Sequence, residues 1–166
     1  MSASAASSQF RVITCQNDID VERERPGFPS KAEVFLAGCG DDFIEEFQKN
    51  TLTPHNVLFY VPRGASNLRK RIKWEHRALE CTQIVVFWFP ALFAAQEYLP
   101  SHSLFFTLGQ VLAPDHGNPP IVIVGVHPTN PDREEIEYQL TYRTKNNIGI
   151  IAESMEELAA ALEYYL

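Results

Sequence analysis

From Ala32 onward, apolar runs of strand length and stretches with helical spacing take strict turns, and this alternation limits the possible folds more than any other feature of the chain. The runs AEVFLAG (32–38), NVLFYVP (56–62), QIVVFWF (83–89), PIVIVGV (120–126) and GIIA (149–152) are each followed by a helical pattern, at 41–50, 67–82, 103–112, 133–143 and 154–166. The runs are continuously apolar, so each strand must be covered on both faces. Alternation with helices then makes the strands parallel. Five such units with right-handed crossovers predict an α/β three-layer, flavodoxin-like (Rossmann-like) sandwich. Its five-stranded parallel sheet should have the order 2-1-3-4-5, counted from the run at 32. The last helix has the sharpest predicted start, a capping box of Ser154 and Glu157.

Ahead of this pattern, FRVIT (10–14) reads as a short strand, and NDIDVERERPGFPSK (17–31), charged and broken by prolines and a glycine, reads as a loop. With 166 residues the chain closes one core, so a single domain is expected over 10–166, with a disordered start at 1–9. The net charge of -7 is the wrong sign for holding nucleic acid or an anionic membrane surface. Cys15, Cys39 and Cys81 are odd in number and lack zinc-finger spacing, which predicts reduced thiols rather than a disulfide framework. The small polar start is unlike a signal peptide, and no apolar run approaches the ~20 residues of a membrane helix, so a cytoplasmic location is expected. The five histidines show no metal-ligand spacing; no metal and no cofactor is expected.

In a sheet of this kind ligands bind beyond the carboxyl ends of the strands, at the point where the strand order reverses. Here those ends are Ala37-Gly38-Cys39-Gly40 and Phe87-Trp88-Phe89-Pro90. In the helix at 67–82, about 100° per residue places Leu68, Ile72 and Leu79 on one stripe with Glu75 in its middle. A carboxylate there must be paired, protonated or used by a ligand, because an isolated buried charge costs several kcal/mol or more. Arg63 stands in a turn between a strand end and a helix start, where free N–H groups favour an anion. The neighbouring Arg69, Lys70, Arg71, Lys73 and Arg77 read as a solvated basic face. The glycines of AGCGDDF are spaced as in a dinucleotide fingerprint, but Phe43 replaces the third and Asp41 and Asp42 would repel phosphate. A tight turn or a close ligand approach accounts for them better. The connection PALFAAQEYLPSH (90–102) is long and apolar, as lids are, and packing on the domain or on a second subunit suits it equally.

Several stretches together resemble the nucleoside 2-deoxyribosyltransferase-like family: VFLAG (34–38), YVPRG (60–64), IKWEHRAL (72–79), QIVVFWFP (83–90) and SHSLFFTLGQ (101–110). The resemblance implies the same flavodoxin-like fold, a nucleoside or nucleotide ligand and a homo-oligomer. In that family a glutamate in a Glu-Leu-Gly step attacks the anomeric carbon of the nucleoside. The step here is Thr107-Leu108-Gly109, and a threonine hydroxyl is essentially un-ionised at neutral pH. Gln83 stands where relatives often carry an aspartate. Glu75 lines up with the acidic position that related N-glycosidases hold near the sugar.

The resemblance thus implies a nucleoside or nucleotide site with its attacking group gone. Glu75 faces the sugar and Thr107 sits at the nucleophile position. Gly38, Cys39, Gly40, Arg63 and Gly109 lie around the ligand, with Trp88 and Phe89, or Phe105 and Phe106, against the base. Two rival readings remain: an active N-glycosidase or transferase pairing Glu75 with another carboxylate such as Glu97, and a docking module without a small ligand.

Overall fold

The computed structural model describes residues 10–26, 32–50, 56–91, 101–112, 119–143 and 151–166. Strands β1 (Phe10–Thr14), β2 (Ala32–Ala37), β3 (Val57–Val61), β4 (Ile84–Phe89) and β5 (Ile121–Val126) form one sheet. Helices α1 (Ile19–Arg23), α2 (Asp41–Asn50), α3 (Leu68–Cys81), α4 (Ser101–Val111), α5 (Arg133–Arg143) and α6 (Met155–Tyr165) cover it. Every strand pairing is parallel, and every residue of β2, β3 and β4 is buried. That is the two-sided cover which the unbroken apolar runs require.

Odd and even strand positions feed two separate cores. Phe35, Tyr60, Phe87 and Val124 pack with α1, α3, α4 and α5 on one face. Val34, Phe59, Val86 and Ile123 pack with α2 and α6 on the other. The three-layer α/β sandwich is therefore present as expected.

The strand order is β1-β3-β2-β4-β5: the four strands counted from the run at 32 stand as expected, 2-1-3-4, and the departure from 2-1-3-4-5 lies at the edges. Phe10–Thr14, read as a short strand outside the main pattern, pairs along its whole length with Val57–Val61 and takes the edge beside β3. The stretch expected to supply the last strand, 149–152, is described only from Ile151 onward and makes one isolated bridge, Ala152 to Gly125. The segment expected to be a loop also holds α1, whose start is capped by Asp18 accepting from the N–H groups of Asp20 and Val21. Ile19 anchors this short helix in the core. The start of α6 lies where expected: Ser154 accepts from Glu157 N–H, while Glu157 Oε2 reaches Glu153 N–H, one residue before the usual partner.

At the end of β2, Gly38 has φ +74°, and a methyl group there would lie 2.3 Å from the Trp88 carbonyl oxygen and 2.9 Å from Leu104 Cδ1. The chain leaves the sheet in a conformation and a space that only glycine fits. Gly38→Ala should therefore destabilise the fold by about 2–4 kcal/mol in urea unfolding, through left-handed strain plus a clash with backbone. Gly109 in α4 is the control, because a methyl group there would meet nothing within 4 Å. Gly109→Ala should be neutral or stabilise by up to about 1 kcal/mol.

Candidate functional site

The strand carboxyl ends form a continuous rim. On it, Arg63 follows β3 and its carbonyl accepts from Cys15 N–H, which follows β1, at 3.0 Å. The Arg63 guanidinium forms an ion pair with Asp41, the first residue of α2 and next to Gly40. Gly64, at φ +76°, lets the backbone pass against the Gln16 side chain. Further along, Gly38 lies under Leu104 of α4, and Thr107 is buried one turn later on the same helix. The rim thus joins Cys15, Arg63, Asp41, Gly38–Gly40 and the start of α4.

Glu75 is not in the middle of the core-facing stripe of α3. Leu68 and Ile72 are 69% and 55% exposed, and Trp74 and Ala78 face the sheet instead. The Trp74 ring meets Tyr60 edge to face, 6.3 Å between centroids, and Ala78 lets the helix lie close. This rotation moves Glu75 to the margin of the buried face. There Arg71, one turn earlier, donates Nε–H to Glu75 Oε1 at 2.6 Å, with side chains 24% and 17% exposed. Glu75 Oε2 has no partner among the described residues. Arg71 and Arg77 thus leave the basic face for ion pairs, Arg77 with Asp20 and Glu80.

The thiol of Cys15 registers this arrangement. Burial chiefly, and then the Glu75 charge, pushes its pKa up to about 11 from an ordinary 9.0, while Arg71 pulls the other way. Cys39 is fully buried, its Sγ 3.8 Å from the Ala37 carbonyl oxygen and 3.9 Å from that of Val86, and burial raises its pKa strongly. All three cysteines are free thiols.

Trp88 and Phe89 are 5% and 1% exposed, so their rings belong to the two cores and are not presented at the rim. A methyl group at Gly125 would come within 2.8 Å of the Trp88 ring, which explains the glycine in β5. Trp88 also packs edge-on against His127, whose Nδ1 faces Thr129 N–H and Oγ1 at 3.2 and 2.9 Å. Gly109 is exposed on α4. Glu97, the proposed second carboxylate, and the side chains of Phe105 and Phe106 lie outside the described residues. Among the described residues no cluster of His, Cys, Asp and Glu could hold a metal ion, and no helix is long and apolar enough to cross a membrane.

One buried carboxylate escaped the sequence reading. Glu33, in the second position of β2 and 7% exposed, accepts from Arg23 Nε at 3.0 Å and from Tyr60 Oη at 3.0 Å. Burial foremost, and then the Glu33 charge, pushes the Tyr60 phenol well above its usual range. The hydrogen bond to Glu33 raises the Arg23 pKa. Gln83 belongs to the same end of the sheet: its Oε1 accepts from Glu33 N–H, and its own N–H donates to the Glu33 carbonyl. A single charge inside AEVFLAG was the available signal. Glu33 marks the amino end of the sheet, opposite the rim, and serves the fold.

No protein-family model and no curated protein matches the chain.

Two tests follow from these contacts. Glu75→Gln removes a charge that raises the Cys15 pKa and leaves Arg71 to lower it, so alkylation of Cys15 at pH 8.5, followed by mass spectrometry, should speed up several-fold. An unchanged rate would mean the two groups do not interact. Since the folded chain holds the Cys15 proton up to about pH 11 and the unfolded chain only to about 9, this group's contribution to stability is complete below pH 9 and is lost between 9 and 11. Glu33→Ala should cost about 2–3 kcal/mol in urea unfolding, below the figure for a fully buried pair because Arg23 can turn to water. A cost under about 0.5 kcal/mol would remove Glu33 from the structural role.

Proposed function

We propose that this chain is a nucleoside- or nucleotide-binding protein on a nucleoside 2-deoxyribosyltransferase-like scaffold, with N-glycosidic transfer or hydrolysis weakened or lost. The observation that carries this reading is the state of Glu75. Arg71 orients its carboxylate through Oε1, and Oε2, without a partner among the described residues, is left able to accept a hydrogen bond. A half-buried carboxylate so fixed is suited to sugar hydroxyls.

The loss of chemistry rests on Thr107. This residue is buried and stands at the position the resemblance assigns to the attacking group, and a retaining mechanism needs a nucleophile and an acid/base group there. Gly38 serves the turn, its surroundings being closed by the Trp88 carbonyl and Leu104; half-buried Gly40 is left as the approach to the backbone, and exposed Gly109 keeps α4 free of a side chain at that point. Cys39 offers backbone only, its thiol being turned into the core. Trp88 and Phe89 lie in the two cores beneath the strand ends and offer no stacking face. Arg63 is already paired with Asp41, so a phosphate gains little there, and uncharged nucleosides should bind at least as tightly as their monophosphates.

Calorimetric titration with ribo- and deoxyribonucleosides and their monophosphates tests this, alongside chromatography for released base. Binding without base release is expected. Glu75→Ala should weaken the binding about tenfold to a hundredfold, the loss of one charged hydrogen bond of about 1.5–3 kcal/mol. Base release that disappears in Glu75→Ala would make the protein an enzyme instead, and no binding by any member of the panel would overturn the reading.

A further inference from the structure

The outer face of α3 is where cations stand without acids. Every other arginine and lysine whose side chain is described has a carboxylate at ion-pair distance, whereas Arg69, Lys70 and Lys73 have none among the described residues. In a chain of net charge -7 that separation is selective. Between these cations stand the exposed Leu68 and Ile72. With Arg69, Lys73 and His76 they line an open groove of ≈ 670 Å³. The charges are also badly placed for the helix itself. The first turn of α3 holds no acidic residue, and Arg69 and Lys70 lie against its positive pole.

Helix α6 ends with the opposite fault. Its last turn holds no basic residue, and Glu163 lies at its negative pole beside Tyr164, which is 85% exposed. Glu156, Ala160, Glu163 and Tyr164 are spaced to share one face, and all four are exposed. Neither Glu156 nor Glu163 has a cation at ion-pair distance among the described residues. One surface therefore offers cations around an aliphatic groove, and the other offers carboxylates around an aromatic ring.

We propose that the carboxyl end of α6 in one copy of this chain docks on the outer face of α3 in a second copy. Tyr164 fills the groove between Leu68 and Ile72, and Glu156 and Glu163 face the unpaired cations. Each helix then has its pole and its charges compensated by the other. Because α3 and α6 cover opposite faces of the sheet, the contact is head-to-tail. Each copy uses its α6 on one neighbour and its α3 on another, giving a ring or an open chain. Two exposed aliphatic residues fit a protein surface better than a polyanion, and the net charge of -7 opposes a lipid surface.

Sedimentation equilibrium of the full chain tests this. The mass at low salt should rise with concentration above the 18.8 kDa monomer and return toward it at about 0.5 M salt. Arg69→Glu/Lys73→Glu and Glu156→Lys/Glu163→Lys should each weaken association at least about tenfold. Mixing the two variants should restore it, because each contact then joins opposite charges again. Circular dichroism checks that each variant is folded. Three outcomes would overturn the proposal: a wild type that stays monomeric, variants that associate as strongly as wild type, or a mixture that does not recover. Salt-sensitive co-sedimentation of a monomeric wild type with phosphatidylserine vesicles would assign the face to a membrane instead. None of these readouts depends on nucleoside binding.

Discussion

Two-sided burial of β2, β3 and β4 is the constraint from which the rest of the molecule follows. A side chain on these strands points into one core or the other, so polar chemistry can stand only where the strands end. At the carboxyl end the chain must leave the sheet at once, and Gly38 does so in a space closed by the Trp88 carbonyl and Leu104. Glu33 is the exception that shows the rule's force. It survives inside β2 because Arg23 and Tyr60 meet both of its oxygens.

The rim built on this frame is rich in charge and short of free charge. Arg63 is matched by Asp41, and Glu75 is matched by Arg71. Arg63 already has its carboxylate partner, whereas one oxygen of Glu75 has no partner among the described residues. Under the nucleoside-binding reading proposed above, this asymmetry favours polar, uncharged groups over phosphate.

The layers and all five strands were legible in the sequence, four as continuous apolar runs with only one stable environment and FRVIT as a short strand. The place of FRVIT in the sheet was not. FRVIT is short, and nothing local says which strand it joins; β1 pairs with β3 in full, while of GIIA only Ile151 and Ala152 are described, with one isolated bridge from Ala152 to Gly125. Helix α1 was missed because its signal is one Asp18 cap and one buried Ile19 within a charged run. The pairings at the candidate site were not legible. Periodicity puts Glu75 in the middle of an apolar stripe whose Leu68 and Ile72 in fact face outward, and it does not say that Arg71 and Asp41 will be the partners of Glu75 and Arg63. Trp88 and Phe89 were read as candidates for stacking because aromatics at a strand end look alike in sequence whether they face a ligand or the core.

The rotation of α3 links the site to the outer surface. With Leu68, Ile72 and Leu79 inward, Glu75 would be central and poorly hydrated, at a cost of several kcal/mol. With Trp74 and Ala78 inward, Glu75 reaches the margin and Arg71 pairs with it, while Trp74 recovers apolar burial against Tyr60. That choice turns Leu68 and Ile72 outward. Nothing in helix formation requires aliphatic residues at those two positions, where glutamate or glutamine would serve the helix as well and would suit its positive pole better. The fold of α3 alone gives no reason for their place among cations that lack a carboxylate among the described residues; the proposed contact with a second copy would supply one.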